Sequence, residues 1–158
     1  MKKTVIYNQP RSGSTVITKI IYEMIGIENT IVTYHGIMNV PILPDNFINI
    51  VTTRNPLFAT LSGERIGIPK SDMPEHCNRV LHKIKSLNSF EHVRYEDYLP
   101  DNLFELIERF NYLFETNLTT DEIKLISEKF DVKKYYGVSG GPDRDWETIF
   151  IPYMFKTI

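Results

Sequence analysis

Cysteine is nearly missing from this sequence of 158 residues: Cys77 stands alone. One thiol excludes an internal disulfide and leaves no cysteine cluster for a metal. An excess of charge of one sign is missing too. Lysine and arginine number 18 against 20 acidic residues, for a formal net charge of −2. Such a chain has no broad basic field to draw nucleic acid or an acidic membrane, so any anion site must be local. No apolar run reaches the ~18 residues that span a bilayer, and the first residues show no signal-peptide pattern. Together with the single cysteine, these absences set the expectation of a reducing, cytoplasmic setting with no membrane partner. Histidine is scarce as well. His76, His82 and His92 lack metal-ligand spacing and read as surface residues, and no metal site is expected.

What is present is ordinary in bulk and specific in one place. Hydrophobic residues make up 42% and charged residues 24%, the usual composition of a soluble globular chain. The length suits one domain over residues 1–158, since domains commonly run about 100–200 residues. The specific place is Thr4 to Gly26, TVIYNQPRSGSTVITKIIYEMIG. Thr4–Asn8 is β-branched and aromatic and reads as a buried strand. From Ser14 the apolar residues Val16, Ile17, Ile20, Ile21, Met24 and Ile25 recur at helical spacing, and Gly26 suits a C-cap.

Between strand and helix lies Pro10-Arg11-Ser12-Gly13-Ser14-Thr15. A strand that turns into a helix through such a loop leaves backbone N–H groups at the positive end of the helix dipole, a site for phosphate or sulfate. Ser12, Ser14 and Thr15 add hydroxyls, and Arg11 adds a fixed charge. The alternative is a plain strand–turn–helix corner with serine caps. A nucleotide-hydrolysing loop needs G-x-x-x-x-G-K-[ST]. Here Asn8 falls at its first glycine and Ser14 at its lysine, so the phosphate-gripping lysine is missing.

Further along, Thr30–His35 and Phe47–Thr53 read as strands, the latter halted by Arg54-Asn55-Pro56. A helix is expected from the proline through Leu57, Phe58, Leu61 and Ile66. Asp72–Leu87 reads as an amphipathic helix with Met73, Val80, Leu81, Ile84 and Leu87 inward. Phe90–Tyr98 then leads to a helix over Leu103–Phe114, and Thr119-x-x-Glu122 is a capping box for a helix reaching about Phe130. Strands alternating with helices predict α/β architecture: a central, mostly parallel sheet flanked by helices in three layers, like P-loop folds. Ligands on such sheets bind beyond the strands' carboxyl ends. Arg11, His35 and Arg54 all fall there.

The motif series resembles the sulfotransferases that use 3′-phosphoadenosine 5′-phosphosulfate (PAPS). Pro10–Thr15 is similar to their P-[KR]-S-G-[ST]-[ST] loop. TYHGIMNVPILPDNFINIVTTRNPLFATLS is similar to their K-T-H-L-P, loop, strand and R-N-P-x-D-x-x-x-S. FEHVRYEDY resembles the Y-E-D segment, and GVSGGPDRDWETIF resembles the closing R-K-G-x-x-G-D-W-K-x-x-F. The resemblance implies that Arg11, Ser12, Gly13, Ser14 and Thr15 hold the 5′-phosphosulfate, with Arg11 stabilising the leaving group. It implies that Arg54 and Ser62 grip the 3′-phosphate, and that His35 is the base that deprotonates the acceptor. Tyr95 is either an adenine contact or a core residue. Gly141 and Arg144 belong to the stretch that in the family closes over the 3′-phosphate; the alternative is a glycine loop pinned by a buried Trp146.

The chain also departs from the pattern. Val16 stands where many members have an adenine-stacking tryptophan, Ser139 and Gly140 replace an Arg-Lys pair, and the stretch between Ser62 and Tyr95 is short. The expected activity is transfer of a sulfuryl group from PAPS to a hydroxyl or amine of a small molecule or glycan, without metal, leaving the bisphosphate PAP. A non-catalytic nucleotide-binding module of the same fold and a small P-loop kinase are the alternatives.

Overall fold

The computed structural model describes residues 2–9, 11–34, 47–64 and 67–131. Four parallel strands form the sheet: β1 (Lys3–Asn8), β2 (Thr30–Tyr34), β3 (Phe47–Thr53) and β4 (Glu91–Arg94). Their order is β2-β1-β3-β4, with every neighbouring pair parallel. Five helices accompany them: α1 (Ser14–Ile25), α2 (Pro56–Glu64), α3 (Met73–Ile84), α4 (Leu103–Phe114) and α5 (Thr120–Lys129). This is the expected α/β architecture, with a sheet that is wholly parallel across the described strands.

The strands carry apolar residues on both faces because both are covered. On one face Ile6, Ile50 and Val93 pack with Ile17, Ile20 and Ile21 of α1, with Leu106 and Phe110 of α4, and with Ile123 of α5. On the other, Val5, Tyr7 and Val51 pack against Ile84 at the end of α3 and Leu87 just beyond it. These are the three layers. Alternate residues of one strand serve opposite layers, so β1 could not slip by one residue without exposing either set.

Local chemistry explains most boundaries. Gly26 ends α1 with φ 84°, and its N–H bonds the carbonyl of Tyr22. Thr119 and Glu122 form the expected reciprocal capping box on α5. The third helix differs from expectation: it spans Met73–Ile84 and buries fully only Met73 and Val80, while Leu81 is 51% exposed. Phe90 precedes β4 and is exposed, and Tyr95–Tyr98 tighten into a 3-10 turn. Expected helix residue Ile66 lies outside the described residues.

The chain leaves β1 for β2 on one side and later for β3 on the other. That reversal makes the carboxyl ends of β1 and β3 the topological switch point, the place where open parallel sheets bind their ligands. Residues 9–13 and 54–55 follow those two ends.

Candidate anion site at the switch point

The loop after β1 is built around two left-handed residues. Arg11 has φ 61° and Gly13 has φ 81°. Gly13 has no alternative, because a Cβ there would run into the ring and hydroxyl of Tyr98. Tyr98 is fully buried beneath the loop. Gly13 is also the N-cap of α1, so no side chain caps that helix, and its first turn contains no acidic residue. The N–H of Ser12 bonds the Gln9 carbonyl. The N–H groups of Gly13, Ser14 and Thr15 donate to no acceptor among the described residues. Three backbone donors at the positive end of a helix thus lie without a partner among the described residues.

Ser12 behaves differently from Ser14 and Thr15. Its side chain is fully buried; the hydroxyl is 2.7 Å from the Gln9 carbonyl and 2.6 Å from Thr52 Oγ1. Thr52 Oγ1 in turn lies 2.9 Å from Asn8 Oδ1. Ser12 therefore fastens the loop to the ends of β1 and β3 rather than offering its hydroxyl to a ligand. Two hydroxyl protons serve three contacts here, and Asn8 Nδ2 is buried without an acceptor among the described residues. Turning the carboxamide so that Nδ2 faces Thr52 supplies the third proton and completes the chain from Asn8 to Gln9.

Arg54 leaves β3 beside this loop. Its backbone N–H donates to Gln9 Oε1 and its carbonyl accepts from Gln9 Nε2, each at 3.0 Å. Its Nη1 donates to the Arg11 carbonyl at 3.3 Å. The guanidinium carbon sits 3.8 Å from the centroid of the Tyr95 ring, a cation–π contact. Arg54 Nε is buried without an acceptor, and among the described residues no carboxylate pairs with Arg54. Arg54 is half-buried, and a guanidinium whose Nε is withdrawn from solvent and which pairs with no carboxylate among the described residues is one that a bound anion would complete.

Arg11 Nε donates to Ser62 Oγ at 3.1 Å, from loop to α2. Ser62 accepts in that bond, so its own hydroxyl proton is available, with no acceptor among the described residues. Arg11, Ser62 and Arg54, far apart in sequence, are one connected group.

Tyr95 and Tyr98 form the floor. Their rings meet nearly edge to face, at 4.8 Å and 76°, and their hydroxyls are hydrogen-bonded to each other. Burial pushes the Tyr98 phenol well above its ordinary pKa, and the Tyr95 phenol up as well; the positive charges of Arg54 and Arg11 pull both back only in part. Both phenols stay neutral near pH 7. Tyr95 is 4% exposed and meets the site through Arg54. Asp97, between them, holds the turn by accepting from the Arg94 N–H at 3.0 Å and pairing with Arg109 at 3.5 Å.

Of the sequence-predicted residues, Arg11, Ser12, Gly13, Ser14, Thr15, Arg54, Ser62 and Tyr95 come together at the carboxyl ends of β1 and β3. His35, Gly141 and Arg144 lie outside the described residues. Sequence reasoning missed Gln9, Tyr98, Asn8 and Thr52. Gln9 had a usable signal: a buried amide between a strand and a proline. His76, expected at the surface, is half-buried. Among the described residues no group of His, Cys, Asp or Glu is arranged to hold a metal, and no helix is long and apolar enough to cross a membrane. Compared with models of known protein families and with curated proteins, the chain matches none.

Proposed function

We propose that this chain is a sulfotransferase that binds PAPS and moves its sulfuryl group to a hydroxyl or amine acceptor, releasing PAP. The observation that carries the reading is the connected group of Arg11, Ser62 and Arg54 beside an uncapped helix start. Two cations, a hydroxyl proton and three backbone donors suit a ligand with two separate phosphate positions. The N–H groups of Gly13, Ser14 and Thr15, with the Ser14 and Thr15 hydroxyls, would hold the 5′-phosphosulfate. Arg54 and Ser62 would hold the 3′-phosphate.

When bound, PAPS supplies an activated sulfuryl group, whose bond to the phosphate oxygen breaks as the acceptor oxygen bonds sulfur. Arg11 stabilises the negative charge left on that phosphate, and being an arginine it does so by charge and donated bonds rather than by giving up a proton. His35, which follows β2 in sequence, takes the acceptor's proton on its imidazole, the side chain suited to proton transfer near neutral pH. The rest of the acceleration is positioning.

Calorimetric titration of the wild type and Arg54→Ala with PAP, and with ATP and Mg²⁺ as control, tests the donor site. Micromolar, metal-independent PAP binding that Arg54→Ala weakens strongly, by about 10- to 100-fold, is expected, followed by turnover of PAPS in an acceptor panel. Binding without turnover on any acceptor would make the chain a non-catalytic nucleotide-binding module. Tighter binding of Mg-ATP than of PAP would overturn the proposal in favour of a kinase.

A further inference from the structure

Gln9 is 7% exposed, and three of the four hydrogen-bonding valences of its carboxamide are engaged. Oε1 accepts from the Arg54 N–H at 3.0 Å; Nε2 donates to the Arg54 carbonyl at 3.0 Å and to Cys77 Sγ at 3.4 Å. The backbone pairing of β1 with β3 ends at Asn8 and Thr52, followed by one further bond from the Gln9 N–H to the Thr52 carbonyl at 3.1 Å. The side chain of Gln9 then does for Arg54 what a strand would do. One acceptor and one donor meet the N–H and C=O of a single residue. The reversed amide would set donor against donor and acceptor against acceptor, so only one orientation fits.

We infer that Gln9 is a positioning residue for Arg54: its carboxamide fixes the backbone from which the anion-gripping guanidinium is aimed. The inference rests on the proposed function and deepens it. Arg54 lies just beyond β3, where backbone torsions are ordinarily free to vary. Three contacts remove that freedom: Gln9 on the backbone, the Tyr95 ring under the guanidinium, and the Arg11 carbonyl on Nη1. The last two act on the charged group itself and move with it. Gln9 alone fixes the point from which the side chain starts. Affinity gained this way is preorganisation, which shows on a ligand only where that ligand uses Arg54.

The test compares two probes, PAP and adenosine 5′-phosphate, which lacks the 3′-phosphate assigned to Arg54. Gln9→Met keeps the side-chain volume and removes the bonds. Gln9→Glu keeps the acceptor for the Arg54 N–H and, once ionised, sets an oxygen against the Arg54 carbonyl. Thermal melting establishes that each variant is folded, and either one suffices for the test. The expected result is a loss of PAP affinity of about tenfold with adenosine 5′-phosphate binding unchanged within about twofold. In an Arg54→Ala background, Gln9→Met should weaken PAP no further, because nothing remains to be aimed. Equal losses for both probes, or additive losses in the double variant, would overturn the inference and make Gln9 a structural residue. A folded variant that binds PAP as the wild type does would overturn it as well, while leaving the proposed function intact. A wild type that binds no PAP would overturn the functional reading itself, and the inference with it.

Discussion

The guanidinium of Arg54 lies over the ring of Tyr95 at 3.8 Å from its centroid, and that ring is itself braced edge-on by Tyr98. A contact of this kind contributes about 0.5–2 kcal/mol, more when it is desolvated. Tyr95→Leu removes the aromatic face and should weaken PAP binding by roughly 3- to 30-fold. Tyr95→Phe keeps the face but takes away the oxygen bonded to the Tyr98 hydroxyl. It should leave PAP binding near wild type while lowering stability by about 1–3 kcal/mol, the cost of a stranded buried hydroxyl. Calorimetry and urea unfolding on the two variants separate these effects. Equal PAP affinity in Tyr95→Leu and wild type would mean that the ring does not support Arg54.

Two left-handed glycines supply an internal control for the loop. Gly13 and Gly67 have φ of 81° and 83°, yet a Cβ on Gly67 would meet nothing within 4 Å, whereas one on Gly13 meets Tyr98. Gly67→Ala should cost only the backbone term of about 1–2 kcal/mol. Gly13→Ala carries that term plus a collision with a buried ring, and should cost clearly more by urea unfolding. It should also lose PAP binding, because relief of the collision moves the three N–H groups at the start of α1. Equal costs for the two substitutions would show that Tyr98 yields freely.

Alkaline pH probes the buried floor. Both phenols have folded-state pKa values raised by burial, so the unfolded chain gives up their protons first. The stability they protect is complete below the ordinary tyrosine value of about 10 and declines as pH rises above it. Denaturant midpoints between pH 7 and 11 should therefore fall steeply beyond pH 10. Phenolate absorbance should account for Tyr95 and Tyr98 only as the protein unfolds. Titration of every tyrosine with the fold intact would contradict their placement.

The strands and α1 were legible because their signals are local. Runs such as Phe47–Thr53 carry β-branched residues for two buried faces, and Val16 to Ile25 repeats at helical spacing. The capping box at Thr119 and Glu122 is a three-residue rule and holds. Leu81 broke its pattern because α3 covers the sheet mainly through its last residues, leaving a periodic apolar position with nothing to pack on. At the site, residue types marked Arg11, Arg54 and Ser62, but not their connections. That Ser12 turns inward follows from Thr52 on another strand, and that Gly13 is obligatory follows from Tyr98 far along the chain. A motif names the groups that touch a ligand. The groups that hold them come from whatever the fold brings behind the loop.

Cys77 reports on that hidden layer. Burial pushes its thiol pKa up, and the bond from Gln9 Nε2 pulls it partly back. Alkylation proceeds through the thiolate, so its rate on the folded protein should follow pH with a midpoint above the usual ~8.5. Gln9→Met withdraws the donor that favours the thiolate, and the midpoint should move higher still. The midpoint is the informative quantity, because a change in access alone alters the rate at every pH and leaves the midpoint in place. A midpoint below that of a free cysteine would contradict the burial of the thiol. One that Gln9→Met leaves unmoved would mean that the contact with Gln9 Nε2 is not a hydrogen bond in solution.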